Sequence, residues 1–328
     1  MAVKNFKTID VANDVTTTRT LLHEAIPVTG SIISSGTYNN NNIKNYTHGM
    51  FQSVYDYPYL SSSANHIFDI AVCYPASSSL SSAASVQNDK KINMYTEFAQ
   101  TLLGYTGSLT DPANQVQFFE NDEFAKPTTR GPMLDAVFVV NFSRLLTKDQ
   151  IKKGTFSMNL MSGAFNYPFV TGTSGCTLTD ASASSDGTGV FNGLGGDYAI
   201  LYSDKHEQSP AKGFVFYQAG IAVITGGVFN EPISGESISD FYTSSAGHAV
   251  PTGQKKNFDQ MLTGTSVSGA CDSIRQRIDN ISFNNTTEIN SKIYFCRVPH
   301  NMFNYSSNPT YLSGSKIRVK TQSTDLPV

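Results

Sequence analysis

Residues 48–70 read HGMFQSVYDYPYLSSSANHIFDI and hold the densest run of aromatic side chains in a sequence otherwise rich in Ser, Thr, Asn and Gly. Phe51, Tyr55, Tyr57 and Tyr59 fall close to a period of two, interleaved with Gln52, Asp56 and Pro58, the pattern of an extended segment with one apolar face. Pro58 lacks the N–H that a central strand must donate, so this first half is expected at a sheet edge or in an interface. After a polar break at residues 61–65, His66 through Cys73 (HIFDIAVC) reads as a full strand.

Outward from this stretch the same strand signal recurs. Upstream, VTTTRTLLHEAIPVTGSII at residues 15–33 predicts an edge strand interrupted near Pro27, and residues 36–45 a polar, turn-rich loop. Downstream, MLDAVFVVNFSRLL at residues 133–146 has the apolar continuity of a central strand, and Phe156, Met158 and Leu160 alternate with Ser157 and Asn159. Further strands are expected at residues 198–202, 214–217 and 221–229, then at 286–298 after a turn at Asn284-Asn285, and last around Ile317 and Val319. In the 286–298 strand Ile289, Ile293 and Phe295 are expected on one face, with Glu288, Lys292 and Tyr294 on the other. Residues 274–283 admit helix or strand.

Helical spacing is clearest over residues 89–103, where Ile92, Tyr95, Ala99, Leu102 and Leu103 share a face, Asn88 or Asp89 can cap, and Gly104 supplies a left-handed stop. One helical turn is expected from Thr147 to Gln150 before Gly154, and a second short helix over residues 257–262. Residues 76–87 (ASSSLSSAASVQ) read as a mobile loop and residues 107–130 as irregular. Residues 171–197 and 231–255 read as Gly/Ser/Thr-rich loops, the first with a hairpin tip at Asp186-Gly187. The expected fold is therefore mainly β, sandwich or barrel-like with mixed short strands, and one or two short helices. It forms a single unit over residues 1–328, or two lobes, 1–170 and 198–328, divided by the loop region 171–197.

Composition narrows the function classes. Only 15% of the residues are charged, against about 25% in an average globular protein, so Ser, Thr, Asn and Gln carry much of the solvation. A formal net charge of -3 with only isolated Lys pairs gives no basic footprint, and direct nucleic-acid binding is not expected. No apolar run approaches the ~20 residues of a membrane helix, and the N-terminus lacks a signal-peptide core. A cytoplasmic product with reduced thiols is expected from the scattered Cys73, Cys176, Cys271 and Cys296.

Catalytic and ligand motifs do not form. The GTSVSG of Gly264–Gly269 has the wrong spacing for a nucleophile elbow and reads as a polar turn, and the glycines at 187, 189, 193, 195 and 196 lack the phosphate-loop lysine. Glu120, Asp122 and Glu123 cluster without a calcium-loop glycine, and His23, His48, His66, His206, His248 and His300 show no metal-ligand spacing. No enzyme activity, cofactor or metal is expected. The aromatic stretch remains, and His48, Phe51, Tyr55, Tyr57, Tyr59 and His66 are its candidate interface residues, because Tyr offers an apolar ring with a hydroxyl that is easily satisfied. Stacking of these rings on sugars or nucleobases is the competing use.

Four blocks carry a resemblance: HGMFQSVYDYPYL at residues 48–60, FSRLLTKD at 142–149, FNNTTEIN at 283–290 and NYSSNP at 304–309. They resemble virion structural proteins of marine T4-like myophages, including those of cyanobacteria, and the likeness spans most of the chain. The resemblance implies a structural subunit of a tailed-phage virion, in the tail, baseplate or neck, assembled in the host cytoplasm. Its implied partners are copies of itself and other virion proteins. It carries no catalytic residue, and it implies further strand beyond the position of Val328. A receptor- or carbohydrate-binding module on a fibre or capsid surface is the alternative.

Overall fold

The computed structural model describes residues 8–27, 40–106, 115–116, 134–166, 169–184, 186–205, 211–229, 258–296 and several two-residue strand pieces at 232–233, 236–237, 241–242, 255–256, 312–313, 316–317 and 326–327. The protein is mainly β, as its alternation predicts. Thirteen strands form one antiparallel sheet: β1 Val15–Pro27, β2 Ile43–Asn45, β3 Gln52–Tyr55, β4 His66–Cys73, β5 Val137–Phe142, β6 Gln150–Ile151, β7 Ser157–Asn166, β8 Phe169–Thr179, β9 Val190–Gly193, β10 Gly196–Ser203, β11 Ala211–Phe216, β12 Ile221–Thr225 and β13 Ile278–Tyr294. Their spatial order is β1-β13-β7-β8-β10-β11-β12-β5-β4-β3-β2, with β9 beside β10 and β6 beside β13.

The chain divides into two compact units, one of residues Met1–Leu21 with Glu288–Val328 and one of Leu22–Thr287, and the span 171–197 lies within the second. In the larger unit the centre of the sheet is apolar on both faces, which is why VFVVNF in β5 reads as a continuous run. Phe68, Ile70, Val72, Phe138, Val140 and Phe142 enter the main core; Ala71, Cys73, Val137 and Val139 enter a second one. Helix α2, Asn88–Leu102, covers that second face with Met94, Tyr95, Ala99 and Leu102. On the main face lie α4 Phe258–Gly264 and α5 Val267–Arg275, contributing Phe258, Met261, Val267, Ala270 and Ile274.

The main face also meets itself. In the sheet order β5 is five strands from β7 and six from β13, which on a flat sheet means roughly 24 and 29 Å at about 4.8 Å per strand. Yet the Phe142 ring at the end of β5 lies 5.2 Å from that of Phe283 on β13 and 5.9 Å from that of Phe156 beside β7. The sheet therefore curls until its inner faces share one aromatic cluster.

Several expectations change. Five short helices occur among the described residues, the others being α1 Val11–Asp14 and α3 Arg144–Thr147. The helical turn sits at Arg144–Thr147 rather than 147–150, because Gln150 and Ile151 pair with Thr286 and Asn285 of β13. Residues 171–197 are not a loop region: they hold β8 and β9, and the turn at Asp186 and Gly187 joins these two strands, which pair with β10 and not with each other. Nor do Asn284 and Asn285 turn, since β13 runs through them. Asn285 bonds outward instead, donating to the Leu146 carbonyl at 2.9 Å and accepting from Glu24 N at 3.2 Å. Competition over residues 274–283 resolves into both answers, with Ile274 in α5 and Ile278, Ile281 and Phe283 in β13.

Helix α2 begins one residue earlier than expected. Its N-cap is Gln87, in the left-handed region at φ 53°, while Asn88 instead accepts a hydrogen bond from Tyr74 Oη at 3.0 Å. Gly104, at φ 90°, provides the predicted stop. Residues 76–87 are a chain of tight turns with Ser78 and Ser85 buried, held by Ser81 and Ser85 hydroxyls donating to the carbonyls of Ala76 and Leu80 at 2.7 Å.

In the smaller unit the described residues are 8–21, 288–296 and the strand pieces 312–313, 316–317 and 326–327. Asp10 caps α1 by accepting from Ala12 N, Arg19 pairs with Glu288, and Phe295 N donates to the Asp14 carbonyl at 2.8 Å. The expected apolar face of this segment is not buried: Ile289, Ile293 and Phe295 are all exposed, as is Tyr294 of the opposite face. Residues 107–114 and 117–133, most of 231–255, and Val319 lie outside the described residues.

Candidate assembly surface

The aromatic stretch sits on the β4-β3-β2 side of the sheet. β3 is second from the edge and β2 is the edge strand, with Ile43 opposite Val54 and Val54 opposite Phe68. The strand ends at Tyr55, ahead of Pro58, as the missing donor requires. Within β3 the two faces do different work. Val54 enters the main core, and Gln52 Nε2 donates to Asp272 Oδ1 of α5 at 2.8 Å and to Asn45 Oδ1 at 2.9 Å. Asp272 also accepts from Arg275 Nη2 at 2.9 Å in a buried ion pair, so β3 is tied to α5 by a polar link inside the core.

On the opposite face Ser53 Oγ donates to Asp69 Oδ1 at 2.5 Å, and His66 Nε2 lies 2.8 Å from the same oxygen. Around this carboxylate the rings form two groups. Tyr46 and His48 stack, Phe51 packs tilted against both with centroids 4.9–5.1 Å apart in the group, and the Lys44 ammonium lies 4.8 Å over Tyr46. Tyr55 contacts His66 edge-on at 5.5 Å and Tyr59 at 6.4 Å. Burial, reinforced by the neighbouring Tyr46 hydroxyl and the Asp69 carboxylate, raises the Tyr55 pKa above its ordinary value.

The loop that follows is closed by its own ends. Asp56 accepts from Asn65 N at 2.6 Å and from Asn65 Nδ2 at 2.8 Å, Asp56 N donates to the Asn65 carbonyl at 3.1 Å, and Tyr59 N donates to the Asn41 carbonyl at 3.0 Å. Asn42 Nδ2 holds the Tyr55 and Asp56 carbonyls from below at 3.3 and 3.2 Å. The loop nevertheless presents Tyr57, Tyr59 and Leu60 to solvent at 54%, 38% and 85% exposure. Because the backbone of this loop is already held, contact through these three side chains would not have to order it, only their rotamers.

The six residues singled out in the sequence thus fall into one region: His48 and Phe51 in the first ring group, Tyr55, Tyr59 and His66 in the second, and Tyr57 alone on the loop. Sequence reasoning missed Tyr46, Ser53, Asp69 and Leu60. Asp69 had a signal, as the one charged residue inside the apolar strand HIFDIAVC, because a buried or half-buried carboxylate needs specific partners.

The other candidates disperse. Ser266 of the GTSVSG turn caps α5, accepting from Gly269 N at 3.3 Å. His23 lies 3.1 Å from Thr286 Oγ1, while His206, His248, His300, Glu120, Asp122 and Glu123 lie outside the described residues. Among the described residues no three His, Cys, Asp or Glu side chains converge on a metal-sized site. None of the four cysteines is in a disulfide, with Cys73, Cys176 and Cys271 buried and Cys296 exposed; burial pushes Cys176 up to about 11, which favours the protonated thiol at neutral pH. No described helix is long and apolar enough to cross a membrane. Comparison with protein-family models, with curated proteins and with solved structures finds no match for the chain.

Proposed function

We propose that this protein is a structural subunit of a tailed-phage virion, in the tail, baseplate or neck, and that it docks on copies of itself and other virion proteins through the loop of residues 56–65. The observation that carries the reading is this loop, hydrogen-bonded shut and still exposing Tyr57, Tyr59 and Leu60. Low charge and the sequence resemblance to myophage virion proteins support it. A Tyr57→Ser/Leu60→Ser variant removes only exposed side chains, so it should fold as the parent does. It should be missing from purified particles, as read by quantitative mass spectrometry. Normal incorporation of the variant overturns the docking role of the loop, and absence of the parent chain from particles overturns the virion assignment.

The competing use of the same loop is sugar binding, because Tyr57 and Tyr59 present accessible ring faces. A glycan array separates the two: binding lost in Tyr57→Ser favours the receptor-binding alternative.

A further inference from the structure

Beside the assembly surface, where α2 stops covering the second face of the sheet, there is a cavity of about 340 Å³. Its size is at the small end of ligand pockets, which run from about 300 to 1,000 Å³. Four of its walls are soft and apolar: Met50 and Phe51 from the turn before β3, and Met94 and Phe98 from α2. Thioether and phenyl groups of this kind adapt to the shape of an apolar guest.

Its polar groups are two carboxylates and one carboxamide. Asp69 of β4 and Asn141 of β5 are directly opposed in the strand register and line the cavity together, and Glu97 of α2 lines it from across the gap. Asp69 Oδ1 is occupied by Ser53 and His66. Among the described residues no hydrogen bond is made by Asp69 Oδ2, the Asn141 carboxamide or the Glu97 carboxylate. Among the described residues no Lys, Arg or His lines the cavity. Two carboxylates and a carboxamide with apolar walls, the imidazole of His66 reaching only the far oxygen of Asp69, match a guest with one positive charge on an apolar stem.

From this geometry we infer that the cavity binds a small organic ammonium, its charged head between Asp69, Asn141 and Glu97 and its apolar body between the Met and Phe side chains. The same chemistry is offered by a free amine and by a lysine side chain. Charge, rather than apolar contact alone, sets the affinity. The site adjoins the assembly surface but does not depend on the virion reading.

The test uses the full chain with ¹³C-methyl methionine, Met50 and Met94 being assigned through Met50→Leu and Met94→Leu. Phenethylammonium should shift both methyl signals saturably, and the neutral isostere 2-phenylethanol should bind at least tenfold more weakly. Glu97→Gln, at an exposed position, should weaken the amine and leave the alcohol unchanged. Nα-acetyl-lysine amide is the second arm: binding as tight as the amine's identifies a lysine side chain as the source, and weaker binding identifies a free amine. Equal binding of amine and alcohol, shifts confined to other methionines, or no shift at millimolar amine overturns the inference.

Discussion

Removing the Phe142 ring should show whether the curl of the sheet holds the larger unit together. Phe142 is 3% exposed and its ring touches those of Phe68, Phe156 and Phe283 at 6.4, 5.9 and 5.2 Å. A Phe→Ala change in a closed core costs about 3–5 kcal/mol, from lost transfer energy plus the cavity left behind. The upper part of that range is expected, because three rigid rings held on separate segments, β4, β13 and the residue before β7, cannot collapse into one void. Phe283→Ala, at 2% exposure on β13, should cost a similar amount.

The double variant carries the sharper test. If β5 and β13 met only through the intervening strands, the two losses would add to within about 0.5 kcal/mol, as they do for distant sites. Direct ring contact instead predicts a coupling of about 0.5–1.5 kcal/mol. Urea unfolding followed by far-UV circular dichroism measures all four corners of the cycle. Simple additivity, or a Phe142→Ala cost below about 1 kcal/mol, refutes the shared aromatic cluster.

Three further predictions concern buried polar and close-packed positions. Lys91 is fully buried, donates to the backbone carbonyls of Leu262 and Thr265, and is pushed down to about 8 chiefly by burial. The native state then releases this proton near pH 8, while the unfolded chain holds it to its ordinary 10.5, so stability from this group rises with pH across that window. Relative to Lys91→Met, the parent should gain up to about 3 kcal/mol between pH 8 and 10.5, and a pH-independent difference in urea midpoints contradicts this. A Cβ on Gly226 would lie 2.0 Å from the Phe258 ring; Gly226→Ala should cost about 1–3 kcal/mol by overpacking, and an unchanged thermal midpoint would sink the α4 contact. Asp180 accepts from Gly154 N, Phe156 N and Tyr217 Oη at 2.8–2.9 Å, and burial still raises its pKa. Tyr217→Phe should cost about 1–3 kcal/mol and move the Asp180 carboxyl further upward by carboxylate NMR, with no movement arguing against the bond.

The strands that were legible in the sequence are those whose burial is written as apolar pattern. His66 to Cys73 and residues 133–146 place Val and Ile on both faces of a covered sheet, and α2 places Tyr95, Ala99 and Leu102 on one side. Strand β8 was illegible because FVTGTSGCTLT puts only Cys176 and Leu178 of its described side chains into the core, and pairing with β7 makes it a strand. Asn285 misled in the opposite direction: its turn propensity yields to hydrogen bonds that its side chain makes across to Leu146 and Glu24. At the candidate surface the aromatic density was visible, but not the Asp69 carboxylate between the ring groups, because strand register brings Ser53 to it. The Asp56 and Asn65 closure that turns an aromatic run into an anchored, exposed loop was equally invisible in one dimension.

The proposed docking of residues 56–65 on another protein chain is visible in the assembled particle. A cryo-EM map of the virion at side-chain resolution should show the chain in symmetric copies, with Tyr57, Tyr59 and Leu60 buried against a neighbouring subunit. A particle that lacks the chain, or one in which those three side chains face solvent, contradicts it.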